Sequence, residues 1–337
     1  MLAGHRTEPS PEPSPNVDPR ILDLVVCPRD QLRLDPREGS LVCANGHEYA
    51  VLGGVPILLV SDSVPTHAEA TFSLNAARLR EMPEYGVTPT GLTVDPWVNE
   101  AIAATNGMLY LPVQGKLTEY PIPGIRLPRG NGQLLLEIGC NWGRWCIAAA
   151  RAGYRPVGID PSLNGVLAAR RVTQQLGVDA CFAVADGRYL PFRSGTFDQV
   201  FSYSVLQHLS KPDVSEILKD VARVLRPGGR SLIQMANMFG VRCIYHQGRR
   251  GFRATRGFEV RYWSPGELKE TFARLIGPSE LSIDGFFSLD PQLSDLRFFP
   301  PSYKAIVYAS EMLRRVGTVV PALKLVADSL YVDSVRN

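Results

Sequence analysis

No stretch of the sequence holds the roughly 18 consecutive apolar residues that a membrane helix requires. Residues 316–332 come nearest, and Pro321, Lys324 and Asp328 interrupt them. The opening MLAGHRTEPSPEPSPNVDP has no apolar core, so it is not expected to act as a signal peptide. Six cysteines in 337 residues are too few for a disulfide scaffold. A net charge of +3 is too small to imply a nucleic-acid partner by itself. No internal repeat is present. These absences lead to the expectation of a cytoplasmic protein with reduced thiols.

What is present suits a globular chain: 45% of residues are apolar, and the length leaves room for one large domain and a smaller one. Residues 1–19, rich in Pro, Glu and Ser, read as a disordered tail. Residues 20–60 read as a small β unit with a Cys/His pattern, and residues 61–94 as a helical linker. AEATFSLNAARLREM is expected to be a helix, and DPWVNEAIAATNGMLY another, capped by Asp95 with Pro96 at its first position. From residue 133 strands and helices alternate. Strands are expected at 133–138, 155–160, 180–185, 197–202 and 230–235. Ser162 is expected to cap the helix that ends near Gln175, with Gly177 just past it, and Asp213 to cap the next. On that helix Val214, Ile217, Leu218, Val221, Val224 and Leu225 follow the 3.6-residue period, and Pro227-Gly228-Gly229 ends it. Ser264 is expected to cap SPGELKETFARLI, SELSIDGFFSL to be a sixth strand, and 290–337 to add helices and a final edge strand at 330–334. Alternating βα units predict a doubly wound, Rossmann-like α/β sheet over about 95–337.

In such a sheet, ligands bind beyond the carboxyl ends of the strands. The first strand runs into LLLEIGCNWGRW, where two of three dinucleotide-fingerprint glycines are missing: Asn141 and Arg144 stand at i+2 and i+5 from Gly139. The spacing i, i+2, i+4 (Gly139, Asn141, Gly143) fits better. With Glu137 ahead of it, this stretch resembles the first motif of class I S-adenosylmethionine (SAM) methyltransferases, acid-x-Gly-x-Gly-x-Gly. Asn141 replaces a glycine there, a mild departure because Asn tolerates the left-handed region. Asp160, 21 residues after Gly139, ends PVGIDPS where the family binds the ribose hydroxyls. VADGRYLPF puts Asp186 and Gly187 where the family meets adenine. GTFDQVFSYSVLQHL resembles its fourth strand and active-site loop, and RVLRPGGRSLIQ the turn into its fifth. The resemblance implies SAM as cofactor, held by Glu137, Gly139, Cys140, Asn141, Gly143, Asp160, Asp186, Gly187 and Ser202. A sugar-nucleotide or NAD domain is the competing class. Glu137 could instead cap backbone amides, and Cys140 could serve packing.

A hydroxyl acceptor needs a base, and the loop after the fourth strand offers Tyr203 and His208 as catalytic candidates. His208 could equally pin that loop by hydrogen bonds. The Asn-Pro-Pro-Tyr-type motif of methyltransferases acting on base amino groups is missing, and no Pro-Cys dipeptide occurs. The domain looks closest to the branch that includes ubiquinone and menaquinone methyltransferases. The stretch 237–263 reads as a substrate-side insertion. Between Arg242 and Arg261 it carries six arginines and one glutamate. Arg249, Arg250, Arg253, Arg256 and Arg261 are the candidates for an anionic acceptor. A solvated basic loop is the plain alternative, and basic residues interleaved with aromatics also suit single-stranded RNA. The apolar face of the tail, with its Lys and Arg residues, could touch a membrane surface or pack internally.

In the front unit, Cys27 and Asp30 lie three apart, and after twelve residues Cys43 and His47 lie four apart. Four such ligands at two β-knuckles suit tetrahedral zinc. The stretch resembles the zinc ribbon of bacterial rRNA guanine methyltransferases and the small activator protein of eukaryotic tRNA and protein methyltransferases. Asp30 stands where those patterns have a second cysteine, and Cys27 and Cys43 could instead be buried thiols. Three functions follow as expectations. The first is methylation, at oxygen, of a small-molecule or glycan/lipid-type acceptor. The second is RNA base methylation, and the third a non-catalytic SAM-binding partner subunit.

Overall fold

The computed structural model describes residues 17–83, 93–287 and 290–337. Its strands are β1 (Leu34–Arg37), β2 (Ser40–Cys43), β3 (Glu48–Leu52), β4 (Val55–Leu58), β5 (Leu134–Ile138), β6 (Arg155–Asp160), β7 (Cys181–Ala185), β8 (Phe197–Ser202), β9 (Leu225–Ala236), β10 (Ser279–Gly285) and β11 (Ser329–Val335). Its helices are α1 (Pro19–Leu22), α2 (Ala68–Leu79), α3 (Pro96–Asn106), α4 (Arg144–Arg151), α5 (Leu163–Gln175), α6 (Lys211–Val224), α7 (Val241–Arg249), α8 (Pro265–Leu275) and α9 (Pro301–Val316). Among the described residues the strands form one sheet in the order β1-β2-β3-β4-β7-β6-β5-β8-β9-β11-β10.

The centre, β7-β6-β5-β8-β9, is parallel. It is the expected doubly wound α/β sheet; β5, β7 and β8 are buried along nearly their whole length, and β5 and β7 are apolar but for Glu137, as strands covered on both faces tend to be. The chain order reverses at β5, which pairs with β6 on one side and β8 on the other. That switch opens a crevice above their carboxyl ends.

Local signals act as expected at several termini. Asp95 accepts from the amides of Trp97 and Val98, Ser162 from Gly165, and Ser264 from Glu267. Three expectations need correction. The cap of α6 is Ser210, whose hydroxyl accepts from the Asp213 amide, so Asp213 lies inside the first turn. The strand after α6 begins at Leu225, because Leu225 already pairs with Phe197 and the Pro-Gly-Gly stretch is absorbed as an irregularity of β9. The last strand is not an edge: β11 lies between β9 and β10, antiparallel to both, with Leu330, Tyr331 and Val332 buried. Its backbone N–H and C=O groups are thus paired on both sides, which an edge strand's are not.

Of the tail expected over 1–19, residues 1–16 lie outside the described residues, while Val17 is buried and Asp18 caps α1. Residues 84–92 of the linker also lie outside them. The front β unit extends the main sheet, since β4 pairs in parallel with β7 through Ile57↔Val184 and Leu58↔Ala185. Cys27, Leu34, Leu41 and Tyr49 share one apolar cluster with Phe192 and Leu136. Among the described residues no helix is long and apolar enough to cross a membrane.

Candidate functional site

A cleft of about 1240 Å³ lies over the switch point. Its floor is the loop between β5 and α4. Three residues there have positive φ: Gly139 (81°), Asn141 (45°) and Gly143 (80°). At Gly139 the backbone passes so close to Val205 that a Cβ would lie 2.3 Å from Cγ2. Asn141 adopts the glycine-like conformation by folding its side chain back, with Oδ1 accepting from the Trp142 amide at 2.9 Å. Asp160, at the end of β6, fixes the same turn. One carboxylate oxygen accepts from the Asn141 amide (3.0 Å) and the other from the Ser162 amide (2.8 Å). Burial raises its carboxyl, and those two amide bonds oppose the rise.

Gly139, Cys140, Asn141, Asp160, Asp186 and Gly187 line the cleft together; Glu137, Gly143 and Ser202 do not. Glu137 is buried behind the loop, and burial pushes its carboxyl up to about 8. The Ser202 hydroxyl donates to the Ile138 carbonyl at 2.9 Å, which ties β8 to β5. Asp186 reaches the cleft already engaged: Arg188 donates to it from Nε and Nη2, the latter at 2.6 Å. Trp142 and Trp145 are both buried, and both also line the cleft.

Beyond β8, Tyr203 and His208 line the cleft. The Tyr203 hydroxyl donates to Asp284 at 3.1 Å, and its ring packs on Trp145. Burial raises its phenol well above the usual value, so it stays protonated. His208 stacks on Phe258 at 4.3 Å, and Phe258 stacks in turn on His67. His208 Nδ1 lies 2.9 Å from the Phe258 carbonyl, which only accepts, so Nδ1 carries hydrogen. Burial holds the ring below its ordinary pKa, which leaves a neutral imidazole with a lone pair on Nε2.

The five arginines divide. Arg249 and Arg250 line the cleft; Arg253, Arg256 and Arg261 do not. Arg253 pairs with Glu259 at 2.7 Å, and Arg256 is exposed. Arg261 is a brace: its guanidinium donates to the carbonyls of His208, Glu259 and Gly257. Arg250 donates to the Val260 carbonyl and stacks over Tyr262.

Residues 135–229 match the family described as a methyltransferase domain. The matched stretch contains Gly139, Asn141, Asp160, Asp186, Tyr203 and His208 of the cleft. Over 107 residues the chain is 38% identical to 27-O-demethylrifamycin SV methyltransferase of Amycolatopsis mediterranei, covering 31% of this chain and 39% of that one. Over 108 residues it is 31% identical to the ubiquinone biosynthesis O-methyltransferase of Caulobacter vibrioides, covering 32% and 42%. Among solved structures, the complex of the Haloferax volcanii Trm112 methyltransferase activator with a methyltransferase matches with a TM-score of 0.44 and 24% identity, over 63% of this chain and 85% of that one. The chain spans about two fifths of the length of the curated relatives it matches.

At the far end of the sheet Cys27, Asp30, Cys43 and His47 converge. The candidate ligand atoms of Cys27, Asp30, Cys43 and His47 all lie within 4.8 Å of one another. His47 Nδ1 is 3.4 Å from Cys27 Sγ, 3.5 Å from Cys43 Sγ and 3.1 Å from an Asp30 oxygen. Cys43 Sγ is 3.5 Å from that oxygen. Bonds of about 2.0–2.3 Å to a tetrahedral zinc would separate such donors by roughly 3.3–3.8 Å. The donor set therefore fits the ion, with the Asp30 carboxylate in a cysteine's place.

Sequence reasoning passed over Arg144, Asn106, His67 and Asp290, all of which line the cleft. Arg144 carried a signal: it is the one charged residue in the otherwise apolar run Trp142–Ala150. The others come from segments distant in the chain, and nothing local marks them.

Proposed function

We propose that the chain is a SAM-dependent methyltransferase acting at oxygen on a small-molecule or glycan/lipid-type acceptor. The observation that carries this reading is the switch-point cleft of the methyltransferase domain, whose positive-φ loop is pinned by a buried carboxylate at the end of the next strand. Each Asp160 oxygen accepts one backbone amide and keeps a further lone pair, so the carboxylate can also accept ribose hydroxyls. Asp186 is engaged by Arg188, so Gly187 and the neighbouring backbone would meet the adenine. The relatives that name small-molecule acceptors favour a small acceptor here.

SAM, when bound, would supply a methyl group on a sulfonium centre, which a nucleophile takes in line as the S–C bond breaks and the neutral thioether S-adenosylhomocysteine leaves. The chain aligns the acceptor and excludes water, with Trp145 and Tyr203 forming an aromatic wall. His208 holds its Nδ1 hydrogen on the Phe258 carbonyl, and its Nε2 takes the acceptor's hydroxyl proton as the new O–C bond forms. Arg249 supplies a cation at the cleft wall for an anionic acceptor group. A second reading concerns the ribbon. Cys27, Asp30, Cys43 and His47 would hold a structural zinc that ties the two knuckles together, without a part in the chemistry.

The test adds purified protein and methyl-labelled SAM to lysate from a source strain lacking it. Label in the solvent-extractable small-molecule, glycan or lipid pool supports the reading and supplies the acceptor. Label in an RNase-sensitive pool replaces it with RNA methylation. SAM binding without transfer to any pool replaces it with a non-catalytic partner subunit.

A further inference from the structure

The chain leaves β9 at Ala236 and enters β11 at Ser329, and these two residues pair. Residues 237–249 and 317–328 therefore emerge together, at the end of the sheet that carries the cleft. They are fastened to each other. Asn237 Nδ2 donates to the carbonyls of Leu325 (3.0 Å) and Ala327 (2.7 Å). The buried Asp328 carboxylate accepts from the amides of Arg242 (2.7 Å) and Cys243 (3.0 Å), in the first turn of α7. α7 has two faces. Cys243, His246 and Arg250 turn toward the cleft. Val241, Ile244 and Tyr245, at the i, i+3, i+4 spacing, fall on the other side and are exposed. The neighbouring segment continues that apolar surface. The Val326 carbonyl accepts the Val241 amide, and Val326 and Leu325 are exposed. Val319, 78% exposed, and Val320 stand at the entrance to the same turn. Aliphatic side chains gathered in water this way mark a surface that something apolar covers.

The charges around this surface are of one sign. Residues 237–258 contain five arginines, residues 312–327 two arginines and a lysine, and neither stretch contains an acid. Arg314 and Arg315 pair with Glu311, and Arg253 with Glu259. Among the described residues Arg242, Arg249, Arg256 and Lys324 have no acid partner. Arg242 and Arg249, seven positions apart, share one flank of the apolar stripe of α7, and Arg249 also lines the cleft. We propose that this face docks on the surface of an anionic lipid bilayer. The aliphatic side chains enter the acyl boundary, and the arginine and lysine stems reach the phosphates around them. Tyr245, with an apolar ring and a polar tip, suits the level between. A protein partner matching the aliphatic centre alone leaves the basic rim without counter-charge. A nucleic acid matches the rim and leaves the aliphatic centre wet. A bilayer with acidic headgroups matches both. Because α7 is also a wall of the cleft, docking sets the Arg249 side of the cleft against the headgroups, and a lipid-type acceptor then enters from the membrane. Delivery of the acceptor rests on the methyl-transfer function proposed above; the docking does not.

The test is flotation of the full chain, without SAM or acceptor, on vesicles of phosphatidylcholine alone and on vesicles with about a third phosphatidylglycerol. Wild type should float with the anionic vesicles and stay in solution with the neutral ones, and the bound fraction should fall as salt rises. Ile244→Asp and Val319→Asp each remove an apolar anchor and set a negative charge against the lipid, so each should weaken binding at least about tenfold. Arg242→Glu should weaken it through charge alone. Leu79→Asp is the control. Leu79 is 56% exposed but ends α2, which packs on β3 and β4 in the opposite half of the sheet, and its variant should bind as wild type does. Unchanged thermal unfolding reports an intact fold. Should Ile244→Asp not fold, Val319→Asp, outside any helix or strand, carries the test. Absence of wild-type flotation with anionic vesicles overturns the proposal. So does equal flotation with both vesicles, or flotation that Ile244→Asp and Val319→Asp leave unchanged. A lipid-free wild-type dimer that Ile244→Asp splits into monomers gives the face to a second copy and overturns it too. Flotation as expected, with no methyl label in any lipid pool, upholds the docking and removes only the delivery of the acceptor, so the two readings fail separately.

Discussion

Gly139 offers the sharpest quantitative test of the cofactor loop. Its φ is +81°, and a Cβ would sit 2.3 Å from Val205 Cγ2 and 2.9 Å from Cγ1. Two costs follow for Gly139→Ala. The left-handed backbone costs an alanine roughly 1–2 kcal/mol. The overlap with a β-branched side chain, which has few rotamers to retreat into, adds about 1–3 kcal/mol, the usual range for overpacking. The total of about 2–5 kcal/mol is large against the ~5–15 kcal/mol of a typical domain, yet leaves a folded protein. Gly177 provides the control: its φ is +61°, with nothing within 4 Å of the Cβ position, so Gly177→Ala should show the backbone cost alone. Urea unfolding of wild type, both single variants, Val205→Ala and Gly139→Ala/Val205→Ala measures each term, and the double-mutant cycle should return a favourable coupling of about 1–3 kcal/mol. S-adenosylhomocysteine affinity should fall more than tenfold in Gly139→Ala and stay unchanged in Gly177→Ala. Equal stability losses at the two glycines, with no coupling to Val205, would refute the reasoning.

Four further outcomes are expected. Glu137 holds a proton in the folded protein up to about pH 8, against an ordinary value of 4.5, so the folded state binds more protons than the unfolded chain between those limits. Unfolding free energy should therefore fall as pH rises through that window, by up to ~1.4 kcal/mol per pH unit, and Glu137→Gln should flatten the slope. His208→Ala should lower kcat about 10²–10⁴-fold; because burial lowers the His208 pKa, the acid limb of kcat/KM should lie below pH 6.5, and a limb above 7 would argue for another base. Metal analysis of protein purified without chelator should find one zinc per chain. His47→Ala should lose it along with thermal stability, and Asp30→Cys should keep it. Arg249→Ala should raise KM for an anionic acceptor, whereas Arg253→Ala and Arg256→Ala, outside the cleft, should change KM less than twofold.

The parallel sheet, the switch-point loop and the helix caps at Ser162 and Ser264 were legible because each rests on residues within a few positions of one another. Asp213 misled because Ser210, three residues earlier, competes for the same cap and takes the Asp213 amide itself. The last strand was legible as a strand, but its neighbours are set by pairing with residues about a hundred and about fifty positions away. The arginine-rich stretch read as one basic surface. In the folded chain Arg261 spends its donors on carbonyls, Arg253 meets Glu259, and only Arg249 and Arg250 of the five reach the cleft.

By itself the sequence determined the order of elements, the turn geometry at Gly139, Asn141 and Gly143, and the spacing that sets the Cys27, Asp30, Cys43 and His47 knuckles. These depend on backbone freedom and on hydrogen bonds that close over short loops. Only the tertiary structure decided that the front β unit joins the main sheet through β7, that Arg188 occupies Asp186, and that buried Arg144 meets no hydrogen-bond partner among the described residues. The reason is physical. Whether a polar side chain is satisfied depends on which distant groups arrive beside it, and that follows from packing the whole chain.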